Sequence, residues 1–74
     1  MKVFVVVSNV EGLVDHVEAR LTLPEAVDCA VELAAERCNS SREDIRAELD
    51  KEQVFNSPNT NIIITIDECE VPDS

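Results

Sequence analysis

Five consecutive β-branched or aromatic residues, Val3-Phe4-Val5-Val6-Val7, stand near the start of the chain and give way to Ser8-Asn9. A run this short and this uniformly apolar has the length of a strand rather than of a buried helix. Its lack of alternation predicts a strand contacted on both faces, and therefore a central one. A second β-prone run, Ile62–Ile66, follows the turn-rich stretch Asn56-Ser57-Pro58-Asn59-Thr60-Asn61 and supplies another strand of the same sheet. Its alternation changes phase beyond Ile66, where Asp67, Glu68 and Glu70 interleave with Cys69 and Val71, which predicts a bulge or a strand end near Asp67-Glu68. Gln53-Val54-Phe55 reads as a short extended piece framing the loop.

Between these runs, Leu13 to Leu21 alternates. Leu13, Val17, Ala19 and Leu21 fall on one face and His16, Glu18 and Arg20 on the other, while Val14 and Asp15 interrupt the pattern. This predicts a half-solvated strand. Ser8-Asn9-Val10-Glu11-Gly12 joins it to the first strand as a hairpin loop of four or five residues, with Gly12, the only glycine in the chain, supplying positive φ for the turn rather than a phosphate cradle.

Two helices follow. Thr22-Leu23-Pro24-Glu25 has the spacing of a capping box, with Pro24 tolerated in the first turn, so a helix is expected over about Leu23–Cys38. At 100° per residue, Ala26, Val27, Ala30, Val31, Leu33, Ala34, Ala35 and Cys38 fill one broad arc, opposite Glu25, Asp28, Glu32 and Glu36. Asn39-Ser40-Ser41 breaks this helix, and Ser40 with Glu43 or Ser41 with Asp44 caps a second one over about Ser41–Lys51. Its apolar stripe is little more than Ile45 and Leu49, which predicts a peripheral position.

The expected fold is therefore α+β: a two-layer ββααβ arrangement, with two helices on one face of a three-stranded sheet, in a single domain spanning residues 1–74 with an acidic tail over about 67–74. Whichever way the strands face, the uncovered side retains apolar residues: Phe4 and Val6, or Val3, Val5 and Val7, together with Ile63 or Ile62, Ile64 and Ile66. A chain of 74 residues buries only about 60% of the surface its unfolded form exposes, so such a face invites a second copy. A homodimer is expected.

Charge narrows the function. Six Lys and Arg against 16 Asp and Glu leave a net −10, which repels phosphates and anionic lipid, so neither direct nucleic-acid binding nor a membrane association is expected. No apolar run reaches the roughly 18 residues of a membrane span, and the first eight residues lack the features of a secretory signal. With three cysteines and no disulfide framework, this points to a reducing, cytoplasmic setting.

The chemistry-bearing residues do not converge. Cys29 and Cys38 lie on opposite sides of one helix, Cys69 is distant in sequence, and no C-x-x-C is present, so no metal site is expected. All three thiols have acidic sequence neighbours or sit at a negative helix end, which favours inert packing. His16 is the single histidine and has no nucleophile motif beside it, while the tail lacks the spacing and glycine of a calcium loop. Neither a catalytic site nor a cofactor is expected.

What remains is a ridge. Glu25, Asp28, Glu32 and Glu36 recur at i, i+3, i+7 and i+11 with only Arg37 nearby in sequence, whereas the second helix reads as self-neutralised through Glu43, Arg46 and Asp50. Glu25 and Asp28 gain from the helix N-terminus, but Glu32 and Glu36 do not. The ridge is the expected docking surface for a basic protein partner. The alternative is an inhibitor or nucleic-acid mimic that occupies the basic channel of a nucleic-acid-binding protein. Four carboxylates over about 16 Å of helix are sparse beside one charge per about 3.4 Å on a DNA strand.

Overall fold

The computed structural model describes residues 1–57 and 60–72. Six elements follow in order: β1 (Lys2–Val10), β2 (Leu13–Arg20), α1 (Leu23–Arg37), α2 (Arg42–Glu52), β3 (Val54–Asn56) and β4 (Ile62–Glu70). The four strands form one antiparallel sheet in the order β2-β1-β4-β3, and β1 is central as expected. The architecture is α+β, but the sheet has four strands rather than three. Val54–Asn56 pairs with β4 as an edge strand, and three residues are too few to show an alternation in sequence. Pro58 and Asn59 of the expected loop, and Asp73 and Ser74 of the acidic tail, lie outside the described residues.

β1 is longer than its apolar run because Ser8, Asn9 and Val10 continue pairing with both neighbours. The loop accordingly shrinks to Glu11-Gly12, with φ of 53° and 84°. Two successive positive φ values are those of a type I′ hairpin turn, whose twist matches that of the strands it joins. The interruption at Val14-Asp15 is a bulge: Ser8 faces His16 and Asn9 faces Val14, leaving Asp15 as the extra residue.

No bulge occurs at Asp67-Glu68. β4 stays in register with β1 from Ile62 opposite Val10 to Glu70 opposite Lys2. The change of pattern has a different origin: Ile62, Ile64 and Ile66 lie beneath the helices, whereas Glu68 and Glu70 continue on the same face past the end of the helix layer, where Lys2 pairs with Glu68 at 3.3 Å.

The capping signals behave as read. The Thr22 hydroxyl accepts from the Glu25 amide at 3.3 Å and donates to its carboxylate at 3.0 Å, while Ser41 accepts from the Asp44 amide at 3.2 Å. At the other end of α2, Gln53 takes a left-handed φ of 59° and its N–H reaches the Leu49 carbonyl at 2.8 Å.

The core lies between one sheet face and the helices. Val6, Phe55, Ile62, Ile64 and Ile66 meet Ala26, Val27, Ala30, Val31, Leu33 and Ala34 of α1, and Ile45 and Leu49 of α2. Small residues on α1 let the helix approach the sheet closely, and the two large residues of α2 close the periphery. Each fully buried Ile or Leu contributes on the order of 2 kcal/mol. The smallest extent of the molecule is 18 Å, the thickness of two layers, and among the described residues no helix or strand covers the other sheet face.

Candidate functional site

The acidic ridge of α1 does not stand alone. The helices run antiparallel, and α2 sends two arginines across: Arg46 donates to Asp28 at 2.6 Å and Arg42 to Glu32 at 3.1 Å. Arg37 pairs with Glu36 at 3.5 Å and also holds Asp15 of the β2 bulge at 2.6 Å. Glu25 is engaged by the Thr22 cap. Asp28 and Glu32 thus have cation partners that the ridge's own sequence neighbourhood did not contain, because those cations come from a helix 10 to 18 residues away. Both pairs are mostly exposed and contribute a few tenths of a kcal/mol each.

The balance of α2 changes in turn. Arg46 is turned toward Asp28 instead of neutralising Glu43 and Asp50, and Arg42 toward Glu32. Glu43, Asp44, Glu48, Asp50 and Glu52 are left on α2 without ion pairs among the described residues. Asp44, Glu48 and Glu52 follow one another at i, i+4 spacing. That spacing was legible in the sequence; the redirection of the two arginines was not.

A second grouping lies where β2 meets α1. The polar face of β2 turns toward the helix side, since His16, Glu18 and Arg20 sit opposite Ser8, Val6 and Phe4. Glu18 collects the donors: His16 Nε2 at 2.9 Å, the Arg20 guanidinium, and the Cys29 Sγ at 3.3 Å. Burial pushes the Cys29 thiol above its ordinary pKa, with Arg20 pulling the other way. Held protonated, this thiol is a poor nucleophile, since the thiolate is the reactive form. Cys38 donates to the Ala34 carbonyl at 2.8 Å and Cys69 is exposed. Among the described residues no group of three or more His, Cys, Asp or Glu side chains is placed to hold a metal ion.

The third feature is the bare sheet face. The registers put Val3, Val5, Val7 and Asn9 of β1 on it, flanked by Val14, Val17 and Ala19 of β2 and by Ile63, Thr65, Asp67 and Cys69 of β4, with Val54 and Asn56 of β3 at the margin. Val14 is 64% exposed, Val17 57% and Ile63 39%. Asp67 is the only charged side chain on this face among the described residues, in a chain whose residues are 30% charged. The sequence left open which face of β1 would be bare; Phe4, Val6 and Val10 turn out to face the core.

Inside the core, Ser8 is fully buried and its hydroxyl has no hydrogen-bond partner among the described residues. No helix among the described residues is long and apolar enough to cross a membrane. Comparison with protein-family models, curated proteins and solved structures finds no match.

Proposed function

We propose that this chain is a non-catalytic protein-interaction module that works as a homodimer and presents an acidic helical surface to a basic partner. The observation that supports it best is the bare sheet face. Water-exposed apolar area spread over three adjacent strands marks a protein-contact surface, and a highly acidic sequence that keeps all but one carboxylate off that face fits the same use.

The acidic surface extends the ridge of Glu25, Asp28, Glu32 and Glu36. With Asp28 and Glu32 engaged by Arg46 and Arg42, the carboxylates most open to an incoming cation are Glu36, which shares Arg37 with Asp15, and those of α2, above all Glu48 and its neighbours Asp44 and Glu52. Charges arranged this way act on association rate and partner choice more than on raw affinity.

Capture of host proteins by the wild-type chain and by the double variant Glu36→Lys/Glu48→Lys, at low and at moderate salt, tests the acidic surface. The variant stays folded and loses the basic partner, with the largest difference at low salt. Retention of every captured protein by the folded variant would remove the acidic surface from the reading. A captured nucleic-acid-binding protein that DNA displaces from the wild-type chain would instead make the helix layer an occupant of a basic channel.

A further inference from the structure

Resting on that reading, we infer that the bare sheet face is covered by the same face of a second copy, giving a four-layer α–β–β–α dimer whose acidic helix layers point in opposite directions. Three arguments select this occupant and this arrangement.

Area comes first. Three strands of eight or nine residues and one of three, spaced about 4.8 Å apart and rising about 3.3 Å per residue, outline roughly 450 Å² in projection. Two such faces pressed together remove on the order of 1,000 Å² of accessible surface, the lower bound for a specific interface.

Charge comes second. Among the described residues the face offers no cation to an acidic partner and one carboxylate, Asp67, to a basic one. Val5, Val7, Val17 and Ile63 instead match an equally neutral, β-branched surface, and the molecule carries such a surface itself. An isologous two-fold contact requires only that one patch be self-complementary.

The third argument is electrostatic cost. Two chains of −10 each repel, and the arrangement decides how strongly. Face-to-face stacking sets the sheets about 10 Å apart and each helix layer about 10 Å further out, so the acidic layers lie roughly 30 Å from one another. That is about three Debye lengths at 0.1 M salt, and the repulsion is screened. Pairing through the free edge of β2 or β3 would extend the helix layers side by side at much shorter range.

Sedimentation equilibrium on the full chain tests the inference, with circular dichroism and thermal melting as checks of folding. The wild-type chain is dimeric at about 100 μM. Val7→Lys, at the centre of the face, and Ile63→Lys, at an exposed position on it, weaken dimerisation by at least about 100-fold, because each buries an ammonium in an otherwise apolar contact. Asp67→Asn removes the one charge from each face and tightens the dimer roughly tenfold. Asp67→Asn and Ile63→Lys decide the matter if Val7→Lys fails to fold. A dimer indifferent to these substitutions would overturn the face-to-face arrangement while leaving self-association intact. A wild-type monomer at about 100 μM would remove self-association from the proposed function as well.

Discussion

The same substitution, glutamate to lysine, should have unequal effects on the two helices. On α2, Glu48 stands between Asp44 and Glu52 at i, i+4 spacing with no cation against any of them among the described residues. Each like-charge pair at this spacing costs about 0.2–0.5 kcal/mol and each opposite pair contributes a similar amount. Glu48→Lys converts two repulsive pairs into two attractive ones and makes the i,i+3 pair with Lys51 repulsive instead of attractive. Four favourable increments of about 0.3 kcal/mol less two unfavourable ones add roughly 0.6 kcal/mol to stability at low salt, or a rise in Tm of about 2–5 °C for a domain of this size.

On α1, Glu32→Lys makes the identical exchange against Asp28 and Glu36, but it also removes the 3.1 Å pair with Arg42 and places an ammonium beside that guanidinium. With both partners about 60% exposed, the loss and the new repulsion are each about 0.5 kcal/mol, so the net change is near zero. Urea denaturation at one fixed protein concentration measures both variants, because linkage to dimerisation would otherwise enter the comparison. The difference should vanish at 1 M NaCl, where the Debye length falls to about 3 Å. Equal shifts for the two variants at low salt, or a difference that survives 1 M salt, would refute the cross-helix pairing.

Three further substitutions or reagents probe other parts of the structure. Ser8→Ala removes a buried hydroxyl without a partner and should raise stability by about 1 kcal/mol; a loss of that size in urea unfolding would mean the hydroxyl is satisfied. Glu11→Asn places the favoured Asn-Gly pair in the type I′ turn, where Glu11 now holds a φ of 53°, and should raise Tm by a few degrees. An alkylating reagent near pH 8 should modify exposed Cys69 well before Cys29, whose thiol burial holds in the protonated form. Because the Cys29 pKa is raised in the folded state, its contribution to stability is complete below the unfolded thiol's pKa of about 9 and is lost as pH rises through the folded value. Equal labelling rates would contradict the contact with Glu18.

Local signals located most of the elements. Thr22 and Ser41 cap the helices as their spacing implies, and the apolar arc of α1 meets the sheet. Pairing information was missing where it mattered. Val54–Asn56 is a strand only because β4 lies beside it, and a three-residue segment carries no period of its own. The acidic end of β4 imitates a phase shift because burial changes along the strand: the helix layer stops after Ile66, so Glu68 and Glu70 occupy positions that were apolar one turn of the pleat earlier. The interrupted alternation of β2 was a true irregularity, and the bulge at Asp15 lets Arg37 anchor α1 to the strand.

The candidate surfaces divide along the same line. The ridge on α1 follows from helical periodicity within one element and was visible at once. Its neutralisation by Arg42 and Arg46 depends on how two helices cross, which no window of sequence contains. The bare face was foreseen as apolar on either side of the sheet, but the choice between Phe4 and its neighbours Val3 and Val5 required knowing which residues the helices cover.

The central claim is that two copies meet through the sheet face. Its most direct measurement is an isotope-filtered NOE experiment on a dimer mixed from labelled and unlabelled chains, which reports contacts between copies alone. The methyl groups of Val5, Val7, Val17 and Ile63 should give contacts between copies, and those of Leu49, buried on the core side of α2, should give none. Intermolecular contacts confined to the free edge of β2 or to the helix layer, with none from Val5 and Val7, would contradict it.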